Sequence, residues 1–280
     1  MRVIHTDEII ENIQAMCIEA NLVLTKDVEE RILYAKEHEE SSIGKQILQQ
    51  LEKNLEIAKE DKIPICQDTG MTIVFVKIGQ DVHIEGLLLE DAINEGIRRG
   101  YEKGYLRKSV VADPIIRNNT NDNTPGIIHC EIVKGTDIEI TVAPKGFGSE
   151  NMSRVIMLKP SDGILGIKKA VIETVQLAGP NACPPIVVGV GIGGSFEKCA
   201  LLAKKALTRD LSVSSQIPHI KQLEKELLDD INKLGIGPGG FGGRTTALGV
   251  NIETYPTHIA GLPVGVNICC HVNRHITRII

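Results

Sequence analysis

The stretch Ile63-Pro-Ile-Cys-Gln-Asp-Thr-Gly70 runs directly into the apolar segment Met71–Ile78. Proline fixes its own φ and favours extended backbone at the residue before it, and Gly70 permits a sharp turn. The apolar segment is therefore predicted to be a strand, preceded by a loop that carries a thiol, an amide and a carboxylate. Such loops are often functional, although a buried cysteine beside a turn capped by Asp68 would explain the same residues.

The regions around this loop predict a mixed fold. Before it, apolar side chains recur at helical spacing, so residues 1–60 are expected to form a helical N-terminal segment, its first helix capped by Thr6 or Asp7. After it, strand and helix patterns alternate irregularly. The predicted fold class is therefore α+β or mixed α/β, with N-terminal helices followed by mixed strands and helices. Residues 1–280 are expected to fold as a single domain.

A hairpin is also predicted in the middle of the chain. The strand patterns Ile128–Val133 and Asp137–Val142 are separated by Lys134-Gly-Thr136, which is a favourable turn sequence. The residues before it, 113–130, are rich in Asn, Asp and Thr and cannot form a core, so they are expected to be surface or the wall of a site.

Composition excludes several classes of protein. The chain has 280 residues, a net charge of −5 and no basic block, so binding to nucleic acid or to an anionic membrane surface is not expected. No apolar run approaches the roughly 18–20 residues of a membrane span. The N-terminus lacks the apolar core of a secretory signal, and a cytoplasmic location is expected.

The seven cysteines form no C-x-x-C pair. In a reducing compartment they are not expected to form disulfides. Cys17 lies on an apolar helical stripe and is predicted to be core. Cys66, Cys183 and the pair Cys269-Cys270 lie instead in loops or at strand ends, where three thiols could hold one iron–sulfur cluster. Simple burial of these thiols is the alternative.

A glycine pattern offers a competing function. Gly189-Val-Gly-Ile-Gly-Gly194 matches the G-x-G-x-x-G fingerprint, and Asp210 lies near the position of the acidic residue in dinucleotide sites. The helix predicted over Ser195–Leu207 leaves no room for the second strand that such a site needs. A nucleotide-dependent oxidoreductase is therefore the weaker hypothesis.

Three separate motifs resemble one family. Ile65-Cys-Gln-Asp-Thr-Gly70, Asn181-Ala-Cys-Pro-Pro185 with the glycines that follow, and Thr257-His-Ile-Ala-Gly-Leu-Pro263 continuing to Cys270-His271 resemble the iron–sulfur (class I) fumarases and L-tartrate dehydratases. The resemblance covers essentially the whole chain. It is to the α subunit of the two-subunit form, which corresponds to the N-terminal part of the single-chain enzymes.

The resemblance implies a [4Fe-4S] cluster and a set of site residues. The ligands would be Cys66, Cys183 and Cys270, with Cys269 as the alternative third ligand. Asp68 and His258 would be catalytic, as a pair that transfers protons. Gln67, Asp68, Arg107 and Gly148 would contact a dicarboxylate substrate.

The implied reaction is the interconversion of fumarate and L-malate, a step of the tricarboxylic acid cycle, with an open iron of the cluster as Lewis acid. L(+)-tartrate dehydratase is the sibling alternative, and a non-catalytic iron–sulfur protein is a further one. The C-terminal part of the single-chain enzymes, which supplies more substrate contacts, has no counterpart up to Ile280. A β subunit is therefore expected, in an α2β2 assembly.

Overall fold

The computed structural model describes all residues from Met1 to Ile280. The eight α-helices are α1 (Thr6–Leu22), α2 (Lys26–His38), α3 (Ser42–Asp61), α4 (Leu89–Lys103), α5 (Phe147–Glu150), α6 (Gly163–Ala178), α7 (Phe196–Ala206) and α8 (Pro218–Asn232). The ten strands are β1 (Arg2–His5), β2 (Met71–Gly79), β3 (Val82–Glu85), β4 (Ile127–Val133), β5 (Ile138–Lys145), β6 (Arg154–Leu158), β7 (Ile186–Gly193), β8 (Ala247–Tyr255), β9 (Leu262–Cys269) and β10 (Ile276–Ile279).

The chain forms two compact units. The first comprises Met1–Thr25, Leu55–Phe147 and Arg274–Ile280. Its main sheet has the strand order β10-β5-β2-β4, in which β2 runs parallel to β4 and antiparallel to β5. The helices α1 and α4 pack on each other, and their apolar faces share one core with this sheet. Cys17 lies in that core, where burial raises the pKa of its thiol to about 12, as expected of a packing residue.

The second unit comprises Lys26–Asn54 and Gly148–Asn273. Its sheet has the order β6-β9-β7-β8, with β7 parallel to β8 and antiparallel to β9. One face of the sheet shares an apolar core with α6 and α8. The other face packs against α7, through positions where the strands carry no side chain.

The glycine pattern is explained by this packing. Gly189 and Gly191 lie inside β7, and a Cβ atom on Gly191 would come within 2.0 Å of the main-chain oxygen of Cys199 in α7. A Cβ atom on Gly189 would come within 2.2 Å of the oxygen of Ala203. These glycines therefore allow a helix to lie directly on the sheet, and the pattern needs no nucleotide to account for it.

The predicted mixed α/β fold is confirmed, with three local corrections. The first helix is capped by His5, whose Nδ1 accepts the Asp7 N–H at 3.3 Å, and not by Thr6 or Asp7. A strand, β1, precedes that helix and pairs with β3, so residues 1–60 are not wholly helical. The predicted hairpin is wrong, because β2 lies between β4 and β5 and pairs with both. The assignment of residues 1–280 to one domain remains a prediction.

None of the helices combines the length and the apolar character that a bilayer crossing requires.

A buried carboxylate ties α2 to the glycine-rich loop of the second unit. Glu39 is 2% exposed and accepts four main-chain N–H groups, from Glu40 at 2.9 Å, Ser41 at 3.0 Å, Arg244 at 2.8 Å and Thr245 at 2.7 Å. Burial alone would raise the pKa of Glu39, but these hydrogen bonds outweigh it and lower the pKa to about 2.

Glu39→Gln is expected to lower the free energy of unfolding at pH 7 by about 2 kcal/mol. The folded pKa is depressed, so the stabilisation is complete above the ordinary pKa of 4.5 and is lost as the pH falls from 4.5 towards 2. Denaturant unfolding across this pH range measures the effect. The same substitution at the exposed Glu37 of α2 is the control and should leave both stability and its acid dependence unchanged.

Candidate active site

The Cys66–Gly70 loop of the first unit holds its carboxylate in a fixed orientation. One oxygen of Asp68 accepts the Gly70 N–H at 3.0 Å, and the other accepts the Phe147 N–H at 2.9 Å. Gly70 has φ +82°, and a Cβ atom there would lie 2.7 Å from the main-chain nitrogen of Lys145. Only glycine fits this turn, so the position of Asp68 is set by backbone geometry.

Buried side chains hold the carbonyl groups of the same loop. The Tyr101 hydroxyl lies 2.7 Å from the oxygen of Thr69 and 3.1 Å from that of Gly70, which also accepts from Asn123 Nδ2 at 3.2 Å. Tyr101 and Asn123 are both fully buried. The loop is therefore rigid although it belongs to neither a helix nor a strand.

A buried arginine completes this support. Arg274 is 4% exposed and donates from Nη2 to the oxygen of Asp68 at 2.5 Å and from Nε to the oxygen of Pro144 at 3.3 Å. Its Nη1 is buried without a hydrogen-bond partner. In the chain it follows Cys270 by four residues. Through its two hydrogen bonds Arg274 fixes the main chain at Asp68 and at Pro144.

Three other predicted residues lie at this loop. The half-buried Cys66 has its sulfur 3.4 Å from the Asp68 nitrogen and 3.3 Å from Gln67 Oε1. A main-chain N–H directed at sulfur suits a thiolate ligand. The exposed Arg107 is linked to the loop through its own oxygen, which accepts from the Thr69 hydroxyl at 3.0 Å. The loop therefore holds Cys66, Gln67 and Asp68 side by side, and the main chain at Arg107 is hydrogen-bonded to it.

The second unit carries the other predicted thiols at one end of its sheet. Cys183, which is exposed and left-handed at φ 53°, precedes β7, and Cys270 follows β9. Because β7 and β9 are antiparallel, the start of β7 and the end of β9 lie at the same end of the sheet. His271 Nδ1 donates to the main-chain oxygen of Cys183 at 3.1 Å, which joins the two segments directly.

The two adjacent cysteines differ in environment. Cys269 is the last residue of β9, lies opposite Val187 and is 3% exposed. Cys270 lies just beyond the strand and is half-buried. A cysteine ligand needs a sulfur that is not packed in the core. The greater exposure of Cys270 therefore favours it over Cys269 as the third ligand.

His258 is placed away from these thiols. It lies in the turn between β8 and β9, where its Nδ1 accepts the Ala260 N–H at 3.2 Å. Cys270 lies at the opposite end of β9, a strand of eight residues and so roughly 24 Å long. Within one chain, the structure does not bring His258 to Cys183 and Cys270.

Gly148 lies in α5, and a Cβ atom there would meet nothing within 4 Å. The position is thus open, as a main-chain contact to a ligand requires. The second unit also contains a cavity of about 260 Å³ between α2, α8 and the glycine-rich loop, lined in part by Arg31, His38, Asp229 and Arg244. None of the predicted site residues lines it.

The model contains no group of three or more His, Cys, Asp or Glu side chains arranged to hold a metal ion. Cys66 belongs to the first unit, and Cys183 and Cys270 belong to the second. The donor chemistry nevertheless fits an iron–sulfur cluster: three thiols outside the two cores, one of them facing a main-chain N–H.

Sequence reasoning missed the residues that support the loop. Tyr101 falls on the apolar face of α4 and reads as core, and Arg274 belongs to no motif. For Asn123 the sequence did give a signal, because it lies in the polar stretch 113–130 that is expected to be surface or the wall of a site. In the structure it adopts φ 63°, a conformation that asparagine tolerates better than most residues.

The chain is similar in sequence to proteins of one family. Residues 10–279 match the model of the family described as fumarate hydratase (Fumerase). A Methanocaldococcus jannaschii protein named "Putative L(+)-tartrate dehydratase subunit alpha" is 45% identical over 266 residues, which are 93% of this chain and 93% of that protein. The L(+)-tartrate dehydratase subunit alpha of Escherichia coli K12 is 33% identical over 276 residues, 98% of this chain and 90% of that protein.

The family match and the named relatives identify the chain as one subunit of a hydro-lyase. More particularly, the chain belongs to the fumarate hydratase family, and over nearly its whole length it corresponds to relatives that are named α subunits.

Proposed function

We propose that this chain is the α subunit of an iron–sulfur hydro-lyase that interconverts fumarate and L-malate. The observation that carries the proposal is the family match over residues 10–279 together with the rigid loop that places Cys66, Gln67 and Asp68 side by side. Cys66, Cys183 and Cys270 would hold a [4Fe-4S] cluster. When bound, such a cluster supplies an open iron that polarises the substrate hydroxyl as a Lewis acid.

The residues of the chain supply binding and proton transfer. Arg107 offers the planar fork that fits a carboxylate, and Gln67 and the Gly148 N–H add hydrogen-bond donors. Asp68 would exchange a proton with the substrate carbon. The Gly70 and Phe147 N–H groups fix its carboxylate in a single orientation, which favours proton transfer at a defined position.

His258 is the proposed proton partner of Asp68, since an imidazole can both accept and donate a proton. Its turn lies at the other end of β9 from Cys270. A role in the same chemistry therefore requires that this turn serve the site of a neighbouring chain, which supports an assembly with at least two copies of the α subunit. With a β subunit, as the names of the relatives suggest, the assembly would be α2β2.

A second function is favoured by the relatives themselves, because those compared are named L(+)-tartrate dehydratase subunits. Tartrate carries one more hydroxyl than malate, and the chemistry is otherwise the same. The two candidate functions therefore differ only in the substrate that the same site would accept.

The test is anaerobic reconstitution of the chain with iron and sulfide, alone and co-expressed with the β subunit encoded in the same genome. We expect fumarate hydration only when both subunits are present, and kcat/KM for L-malate above that for L(+)-tartrate. A reversed ratio would assign the tartrate function. Full activity of this chain alone would contradict the two-subunit proposal.

A further inference from the structure

Two adjacent isoleucines project from a loop of the first unit. Ile115 is 88% exposed and Ile116 is 71% exposed. They follow Asp113-Pro114 within the polar stretch that links α4 to β4. We call them the Ile115–Ile116 tip. Single exposed apolar residues need no explanation. This pair differs from the others because the loop that carries it is hydrogen-bonded to the candidate active site.

The support beneath the tip is rigid. The Asp113 carboxylate accepts the N–H groups of both isoleucines, at 2.8 Å and 2.6 Å, and these bonds lower the pKa of Asp113. The Arg117 N–H donates to the oxygen of Asp113 at 2.9 Å and closes the turn. The tip is therefore ordered before any partner arrives, so binding costs little further conformational entropy.

Below the tip, the two arms of the loop are joined to each other. Val111 and Asn119 form an antiparallel bridge, the Ala112 N–H donates to the oxygen of Asn118 at 2.7 Å, and the Thr120 N–H donates to the oxygen of Val110 at 3.0 Å. The arms thus form a short paired stalk that holds the isoleucines away from the core of the first unit.

The base of the same loop is part of the candidate active site. Asn119 Nδ2 donates to the oxygen of Lys108 at 2.9 Å, next to Arg107. Asn123 accepts the Ser109 N–H at 2.7 Å and donates to the oxygen of Gly70 at 3.2 Å. One continuous hydrogen-bonded segment therefore runs from the Cys66–Gly70 loop, past Arg107, to the exposed isoleucines.

The charges around the tip indicate the partner's chemistry. Lys108 and Arg117 are exposed on this segment, whereas the nearest acid, Asp113, is engaged with the main chain. A complementary surface would have an apolar socket with acidic side chains at its rim.

We propose that the Ile115–Ile116 tip is a docking site for the β subunit and fixes that subunit beside Arg107. The proposal rests on the proposed function, in which the β subunit supplies the rest of the substrate site. The segment that carries the tip is hydrogen-bonded to the Cys66–Gly70 loop through Asn123, so docking at the tip would also align the two halves of the site. Buried apolar anchors of this kind dominate the affinity of an interface.

The double variant Ile115→Ser, Ile116→Ser tests the proposal. Tagged β subunit is titrated with purified α chain, either wild type or variant. We expect the β subunit to bind the variant at least 30-fold more weakly than the wild type. The iron content and thermal unfolding of the variant α chain should not change. The matched control is Ile164→Ser, Leu165→Ser on α6, an adjacent pair that is also exposed, at 56% and 81%. It should bind like the wild type.

The outcomes separate the two proposals. If the wild type binds the β subunit and the double variant binds it equally well, the docking site is wrong and the function stands. If the variant instead loses self-association of the α chain while retaining the β subunit, the occupant is a second copy, and the proposal is also wrong. If the wild type binds no β subunit, the proposed two-subunit function fails, and the docking site fails with it.

Discussion

Alanine at Cys66, Cys183 or Cys270 is expected to abolish iron–sulfur cluster binding and essentially all hydro-lyase activity. The proposed cluster is held by only three protein thiolates, and each variant removes one of them. The two thiolates that remain are not expected to hold the cluster. Wild-type protein reconstituted anaerobically should contain about four irons and four sulfides per chain, with the visible absorption of the cluster. Each variant should lack both the absorption and the stoichiometric iron.

The other cysteines provide matched controls. Cys130→Ala removes an exposed thiol from β4 and should leave the iron content unchanged. Cys269→Ala removes a buried sulfur next to Cys270, so it should lower stability by about 1 kcal/mol but retain the cluster. Loss of the cluster in Cys269→Ala together with its retention in Cys270→Ala would exchange their roles. A wild-type chain that binds no cluster would overturn the iron–sulfur proposal.

Asp68→Asn should reduce kcat by about 10²- to 10⁴-fold while leaving the iron content as in the wild type. The amide occupies the same volume and keeps an oxygen for the Gly70 N–H, but it cannot exchange a proton with the substrate. Rates of fumarate hydration with the β subunit present, and cluster absorption on the same samples, measure the two quantities separately.

Asp210→Asn is the control for this variant. Asp210 accepts the N–H of Ser212, two residues ahead, at 2.7 Å, just as Asp68 accepts that of Gly70. It lies outside the proposed site and should keep full activity. If Asp68→Asn turns over normally, the role of Asp68 is wrong. If Asp210→Asn is the damaging variant and the protein retains a nucleotide, the glycine pattern regains its dinucleotide interpretation.

Helices were predictable from the sequence because their signals are local. The periodic apolar residues of α1, α2 and α3 predict a helical segment before residue 60, and the structure has three helices there. Strand pairing was not predictable in the same way. The Lys134–Thr136 turn favours a hairpin locally, but β2, some 60 residues earlier in the chain, occupies the place between the two strands. The short strands β1, β3, β6 and β10 carry too few residues for a pattern.

The site shows the same division. Cys66, Gln67 and Asp68 are adjacent in sequence, so their proximity needed no structure. The support from Tyr101, Asn123 and Arg274 is long-range and uses a core tyrosine, a loop amide and an arginine outside any motif. His258 and Cys270 flank the apolar run that forms β9, and their separation follows from the extended conformation of that strand.

The last strand has a consequence for biosynthesis. β10 pairs with β5 in the first unit, and Ile280 exchanges two main-chain hydrogen bonds with Ile138, each of 2.9 Å. A ribosome makes β10 only after all of the second unit, so the first unit must wait with the edge of β5 exposed while its neighbour folds. A chain truncated after Asn273 and released from the ribosome should therefore contain a protease-resistant second unit and a protease-sensitive first one.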